Sequence, residues 1–366
     1  MTSPDSLGAD GSERLRELPL RSYRPRPALR RQVSEVPRAR HAAVDVHAHL
    51  GRWLTGRWAA PDVGALLATM DAANIATVVN LDGMWGEELR ANLARYDEAH
   101  PGRFVTFAQW DRSLVGEHRD FGERLGSQMR DAADAGARGL KVWKDLGLHL
   151  RDPGGRLVMP DDERLDRVWQ ACADTGLPVL IHTGDPLAFF DPLDETNERL
   201  EELLEHPDWW FGDRTRFPTF DALADSFETL VARQRDVTFI GAHVAGLAED
   251  LGRLDRMLST YPNLYADLAA RVAELGRVPR ATTALMERHP GRFLFGSDGV
   301  PPDAEAYAAV FRFLETADEH VPYSPDPMPP QGRWAISCLD LSDEVLTQVY
   351  ADNARRLIPG LEKPRF

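Results

Sequence analysis

The chain has 366 residues, 43% of them hydrophobic, and a formal net charge of -15. That length and apolar content suit one large α/β domain with insertions, and the acidic balance argues against a nucleic-acid surface. With only Cys172 and Cys338 there is no disulfide framework or cysteine zinc cluster. No stretch reads as a signal peptide or a membrane span, so a reducing cytoplasm and no membrane contact are expected.

In chain order, Met1 to about Asp10 is polar and reads as unstructured. Arginines and prolines then run from Arg14 to Arg40. Residues 1–40 are expected to form an extended arm over the protein's own acidic surface or a neighbouring subunit. Residues 44–49 form an apolar, β-branched run, hence a first strand. Side chains two apart on a strand share a face, so His47 and His49 project together. Helical spacing follows over 61–73, with proline at its start. A second strand is expected over 76–82 and a helix over 87–99, stopped by His100, Pro101 and Gly102. A third strand covers 104–110, a polar helix about 118–135, and a fourth strand 139–143. A helix over 161–175 has acidic residues in its first turn and Gly176 after it. The fifth strand is 178–183.

A long Pro-, Asp- and aromatic-rich connection follows, about 184–218. A helix over 220–235, a sixth strand over 237–243 and a helix over 247–259 come next. The seventh strand is 263–267, followed by a helix over 279–288, and the eighth strand is 292–298. A helix over 304–316, a Pro-rich loop of about 321–332 and a last helix over 342–357 complete the chain. Eight strands alternating with helices predict right-handed crossovers and a (β/α)8 barrel over 41–366. An open doubly wound sheet is the runner-up, but no Gly-x-Gly-x-x-Gly turn follows the first strand.

In such a barrel the chemistry sits at the carboxyl ends of the strands. His47 and His49 end strand one, Lys141 lies in strand four, and His182, His243 and Asp298 end strands five, six and eight. Each closes an apolar segment, and burying one such group unpaired costs a few kcal/mol. A shared divalent metal explains them together. Imidazole and carboxylate ligands suit zinc best, with manganese or another transition metal also possible.

The runs VDVHAHLG, IHTGDP, FIGAHVAG, LFGSDGVPP and VYADNARRL resemble the amidohydrolase superfamily. The nearest branch is similar to the amidohydrolase-2 group, which includes the aminocarboxymuconate-semialdehyde and resorcylate-type decarboxylases. The resemblance runs from about Pro37 to Leu357. It implies a distorted (β/α)8 TIM barrel with one metal held by His47, His49, His182 and Asp298. His243 would be the acid/base or substrate polariser outside that ligand set, and Asp298 would also be catalytic. In binuclear relatives a strand-four lysine is carbamylated, so Lys141 leaves that arrangement open. Otherwise it is a substrate-anion anchor or a structural cation. A homodimer is implied by the same likeness.

Zinc activates water and polarises carbonyls. In a hydrolytic reading Asp298 moves the water proton and His243 stabilises the developing oxyanion on an ester, lactone or amide. In a decarboxylating reading the same groups deliver a proton to carbon. Lys141, Arg52, Trp143, Arg271 and Asp185 are the expected substrate-binding side chains of a small carboxylated or hydroxylated substrate. The aspartates of 184–218 suit sugar-like hydroxyls, so hydrolysis is the leading expectation and decarboxylation the alternative. A non-catalytic binding barrel would be marked by a missing ligand, and none is missing.

Overall fold

This computed structural model describes residues 8–26 and 28–361. Eight parallel strands follow one another: β1 (Ala43–Ala48), β2 (Ile75–Asn80), β3 (Phe104–Thr106), β4 (Leu140–Val142), β5 (Val179–Ile181), β6 (Phe239–Gly241), β7 (Leu264–Asp267) and β8 (Phe293–Leu294). They form a distorted (β/α)8 barrel in two ladders, β1-β2-β3 and β4 to β8 in order. Short bridges join the ladders. At one seam Ala108 N donates to Gly139 O (2.9 Å) and Lys141 N to Ala108 O (2.8 Å). At the other, Val46 N donates to Phe295 O (3.0 Å) and His49 N to Gly299 O (2.9 Å).

Most strands, from β3 to β6 and β8, are shorter than their apolar runs suggest, and in two of them the backbone shows why. β6 stops at Gly241 because His243, Val244 and Ala245 turn left-handed, with φ of 56°, 62° and 57°. β8 stops at Leu294, and the chain then swings so that Asp298 sits at φ 63°. Left-handed residues rotate their peptide groups out of the ladder, and for a side chain larger than glycine they cost about 1–2 kcal/mol each. Both departures lie at strand ends that carry chemistry.

Helices connect the strands. Asp62, Thr219, Asp250, Asp303 and Ser342 cap helix N-termini through their side chains. The helices expected over 87–99 and 342–357 each contain a five-residue π-helical turn. The helix expected over 118–135 is Phe121–Ala135, and a separate short helix, Ser113–Glu117, precedes it. Val44, Val46, Val79, Leu81, Val105, Phe107, Leu180, Ile240 and Leu294 pack with Ala351, Ala354 and Ile358 of the C-terminal segment. There Asn353 Nδ2 donates to the carbonyls of Pro290 and Phe293, both at 2.8 Å.

The expectation of an unstructured start is partly corrected. Gly8–Arg16 is helical, and the first seven residues lie outside the described ones. The rest of the arm rests on its own barrel. Ser34 N and Oγ donate to Asp318, Arg40 pairs with Asp343, and Arg333 donates to the carbonyls of Leu20 and Tyr23. Among the described residues no helix is long and apolar enough to cross a membrane.

The connection after β5 is not structureless. It holds the helix Leu200–Glu205, and a small core of Phe189, Phe190, Leu203, Phe211 and Phe217. Arg199, 1% exposed, seats it on the barrel by pairing with Glu202 at 2.8 Å and with Glu274, which follows β7. Arg199→Met would leave two buried carboxylates facing each other without their cation. A loss of about 3–5 kcal/mol is expected, read as a lower urea midpoint; an unchanged midpoint would show that the carboxylates find other partners.

Candidate metal centre

The strand ends bring His47, His49, His182, His243, Lys141 and Asp298 to the wall of one cavity of about 320 Å³. Within it, one ligand atom from each of His47, His243 and Asp298 lies within 4.8 Å of the others. Asp298 Oδ1 is 3.3 Å from the Nε2 of both His47 and His49. The His182 ring stands 4.4 Å from that of His243, centroid to centroid.

This group of three contains His243, expected outside the ligands, and neither His49 nor His182, which stand beside it on the same cavity wall. The left-handed backbone of His243 carries the imidazole inward, where its ring is 4.8 Å from that of His47.

The Nδ1 atoms explain which imidazole nitrogens face the cluster. His47 Nδ1 is 2.8 Å from Asp267 Oδ2, His49 Nδ1 is 2.8 Å from Asp82 Oδ1, and His243 Nδ1 is 2.9 Å from Ala269 O. An acceptor at Nδ1 fixes the proton there and leaves Nε2 as the lone-pair donor. Asp82 and Asp267 were not singled out from the sequence. The signal was present, since each closes or directly follows an apolar strand, as Asp298 does.

Protonation follows from burial and neighbours. Burial and the nearby Lys141 ammonium hold His47 below its ordinary value, burial lowers His182 to about 4, and burial holds His243 well below its ordinary value. These imidazoles are therefore neutral lone-pair donors at pH 7. Burial lowers His49 too, but Asp298 and Asp82 outweigh it and push it up to about 9. Burial works against the Asp298 carboxylate, yet the surrounding histidines hold it well below its ordinary range. Burial brings Lys141 down to about 8, with its Nζ 3.1 Å from His47 Nε2.

A divalent cation fits this donor set. The neutral imidazoles of His47, His182 and His243 converge with an ionised carboxylate, outer acceptors fix the tautomers of His47 and His243, and His49, cationic without the ion, would give up its Nε2 proton to bind it. The buried Nε2 of His182 makes no hydrogen bond, its nearest acceptor being Asp185 Oδ1 at 3.5 Å. Such an unpaired buried atom is costly unless something completes it.

The expected substrate-binding residues separate. Trp143, Arg271, Asp185 and Lys141 line the cavity. Arg52 does not: its guanidinium pairs with Glu88 and lies 4.8 Å over the Trp58 ring, on the outside of the loop. A carboxylate one helix away outcompetes the mouth for it. Lys144, Phe189, Arg199, Glu202, Trp209 and Gln331 join the wall. Those after residue 184 come from loops, whose course no periodicity encodes.

Asp185 sits between Lys144 and His182, with its Oδ2 2.5 Å from Lys144 Nζ and its Oδ1 3.5 Å from His182 Nε2. Burial pushes its carboxyl up, but the Lys144 ammonium and His182 outweigh burial and hold it at about 2, against an ordinary 3.8. A carboxyl lowered on folding adds stability above its unfolded value, and that stability is lost as pH falls through the folded one. The Asp185 contribution is therefore complete above about pH 4 and disappears toward about pH 2. Urea midpoints for wild type and Asp185→Asn should converge across that window as acid is added. Parallel curves would mean that Lys144 does not hold the carboxylate in solution.

No curated protein matches the chain. Solved structures do. A 2,6-dihydroxybenzoate decarboxylase bound to 2,6-dihydroxybenzoate is 16% identical, with a TM-score of 0.53, over 87% of this chain and 99% of that one. A 5-carboxyvanillate decarboxylase from Sphingomonas paucimobilis is 14% identical, with a TM-score of 0.51, over 86% and 98%. The Novosphingobium aromaticivorans 5-carboxyvanillate decarboxylase, complexed with manganese and a nitrobenzoic acid, is 14% identical, with a TM-score of 0.51, over 89% and 99%. At these identities the likeness establishes the TIM-barrel fold. The family model for amidohydrolases of the second type matches residues 44–360, nearly the whole barrel, and the chain is an enzyme of the amidohydrolase-2 family.

Proposed function

We propose that the chain is a metal-dependent, non-oxidative decarboxylase of a ring-sized aromatic or unsaturated carboxylic acid. The observation that carries this reading is Arg271. It is 7% exposed, lines the cavity, and among the described residues has no carboxylate within ion-pair distance; its one hydrogen bond is to the Ala270 carbonyl at 2.8 Å. Glu202 and Glu249 are near enough to feel its charge but form no ion pair with it, and a buried guanidinium without a direct partner suits an anionic ligand. Trp143, Phe189 and Trp209 supply flat walls beside it. The structural relatives named as aromatic-acid decarboxylases agree with this choice over the hydrolysis expected from the sequence.

In this reading His47, His49, His182 and Asp298 hold the metal, with His243 close enough to share or replace a position. The ion, zinc or manganese by its ligand types, supplies Lewis-acid polarisation of a substrate oxygen. Arg271 grips an anionic group and the aromatic walls hold the ring plane. Asp298, ionised at rest, takes a proton from the substrate's own hydroxyl or from water. The bond between ring carbon and carboxyl carbon then breaks, and its electron pair stays on the ring carbon. That carbon takes the proton back from Asp298 as carbon dioxide leaves. His243, neutral with its Nδ1 proton on the Ala269 carbonyl, offers only its Nε2 lone pair and accepts the proton of a neighbouring hydroxyl or water.

Hydrolysis of an ester, lactone or amide is the second reading. It is favoured by the position of Asp298, 3.3 Å from two imidazoles and able to deprotonate an attacking water there. Metal-loaded protein assayed on hydroxylated benzoates and on lactones, with carbon dioxide and acid release followed separately, decides between them. Carbon dioxide from the aromatic acids is the expected result. Acid release from lactones without carbon dioxide would overturn it.

A further inference from the structure

We propose that Asp45 and Tyr307 are positioning residues that lock Asp298 into the metal cluster. The proposal rests on the metal reading above, and it concerns what holds the carboxylate there.

Asp298 occupies a conformation its chain would not choose. Its φ of 63° is left-handed, and the residue lies beyond the end of β8 at Leu294, where only isolated bonds to β1 remain. A non-glycine residue keeps such a backbone only where its surroundings over-determine it. The fastening is visible on both sides. Asp298 N donates to His47 O at 2.7 Å. Ser297, just before it, donates to Asp45 through both its backbone N (3.0 Å to Oδ1) and its Oγ (2.6 Å to Oδ2). Gly299, just after it, donates its N to the same Ser297 Oγ at 3.1 Å. One buried carboxylate thus secures both neighbours of Asp298, and it also accepts the His47 N at 3.1 Å.

Asp45 is itself held by a residue far along the chain. Tyr307, fully buried on the helix Ala304–Glu315, donates its hydroxyl to Asp45 Oδ2 at 2.9 Å. Its ring stacks on Phe311 at 5.9 Å and Phe295 at 6.1 Å, so the hydroxyl can be removed without disturbing the packing. Without it, the Asp45 oxygen keeps one donor fewer and the carboxylate is freer to turn away from Ser297. The path from helix to metal is Tyr307, Asp45, Ser297, Asp298. Groups that orient a metal ligand in this way typically change metal affinity by about 10- to 100-fold when removed.

The test is calorimetric titration of zinc into chelator-stripped full-length protein, with thermal unfolding of the stripped protein measured in parallel. Tyr307→Phe and Ser297→Ala should each bind zinc about 10- to 100-fold more weakly than wild type. Asp45→Asn should bind more weakly still, and Asp298→Asn serves as the ligand-loss control. Tyr307→Phe should unfold within a few degrees of wild type. A merely structural role predicts the reverse pattern, a lower unfolding temperature with unchanged zinc affinity, and that result overturns the proposal. Weak binding by Asp298→Asn beside wild-type affinity in Tyr307→Phe and Ser297→Ala also overturns it, while leaving the metal reading intact. If wild type binds neither zinc nor manganese in the same titration, the metal reading fails and the positioning role with it.

Discussion

Asp298→Asn should cost about 10²- to 10⁴-fold in turnover, the usual worth of a positioned acid/base group, while the chain stays folded. Asparagine has nearly the same shape, and it tolerates the left-handed backbone found at this position better than most residues do. The Ser297 and Gly299 bonds that fasten the turn do not involve the Asp298 side chain, so they survive. What disappears is the charge. The native carboxylate is held ionised well below its ordinary range by the surrounding imidazoles, so its oxygens carry free lone pairs at any working pH. An amide cannot accept the proton, and it is a poorer ligand. Steady-state kinetics with circular dichroism and metal content on the same sample would check this. Full activity with intact fold would remove Asp298 from the proton path. Lost activity with full metal content would place its role in proton transfer rather than in holding the ion.

The barrel was largely legible because its signal is periodic. Eight apolar runs separated by amphipathic stretches can hardly be anything but parallel strands and crossovers, and the polar residues that close those runs pointed to one rim. His47, His49, His182, His243, Lys141 and Asp298 do line one cavity. What periodicity could not show is backbone that leaves the ladder. The run ending at His243 looks like an unbroken strand, so the left-handed turn that brings this imidazole beside His47 and Asp298 was invisible. Competition between partners was equally hidden. Arg52 follows the first strand as a mouth residue should, yet Glu88 is nearer. Asp45 could be read only as a polar residue in an apolar strand, because the hydroxyl it needs lies on a helix more than two hundred residues later.

Arg271→Gln should cost about 2–4 kcal/mol of transition-state binding, or roughly 30- to 1000-fold in kcat/KM, on a carboxylated substrate. The other cavity cations are committed elsewhere. Lys144 is paired with Asp185, Arg199 with Glu202 and Glu274, and Lys141 sits against His47 in the metal cluster. Among the described residues, Arg271 is the buried cation of this cavity wall with neither an ion pair nor an imidazole contact. Because it lacks an ion-pair partner, its loss should not weaken the fold. Removing an uncompensated buried charge leaves thermal stability level or raises it, the opposite of Arg199→Met. Specificity gives the sharper check. A neutral ester or amide of the same acid forms no ion pair, so its binding to wild type and Arg271→Gln should be nearly equal, whereas the free acid should lose most of its affinity. If both ligands weakened alike, Arg271 would be acting through packing against its neighbours. The anionic substrate, and with it the main support for decarboxylation over hydrolysis, would then have to be given up.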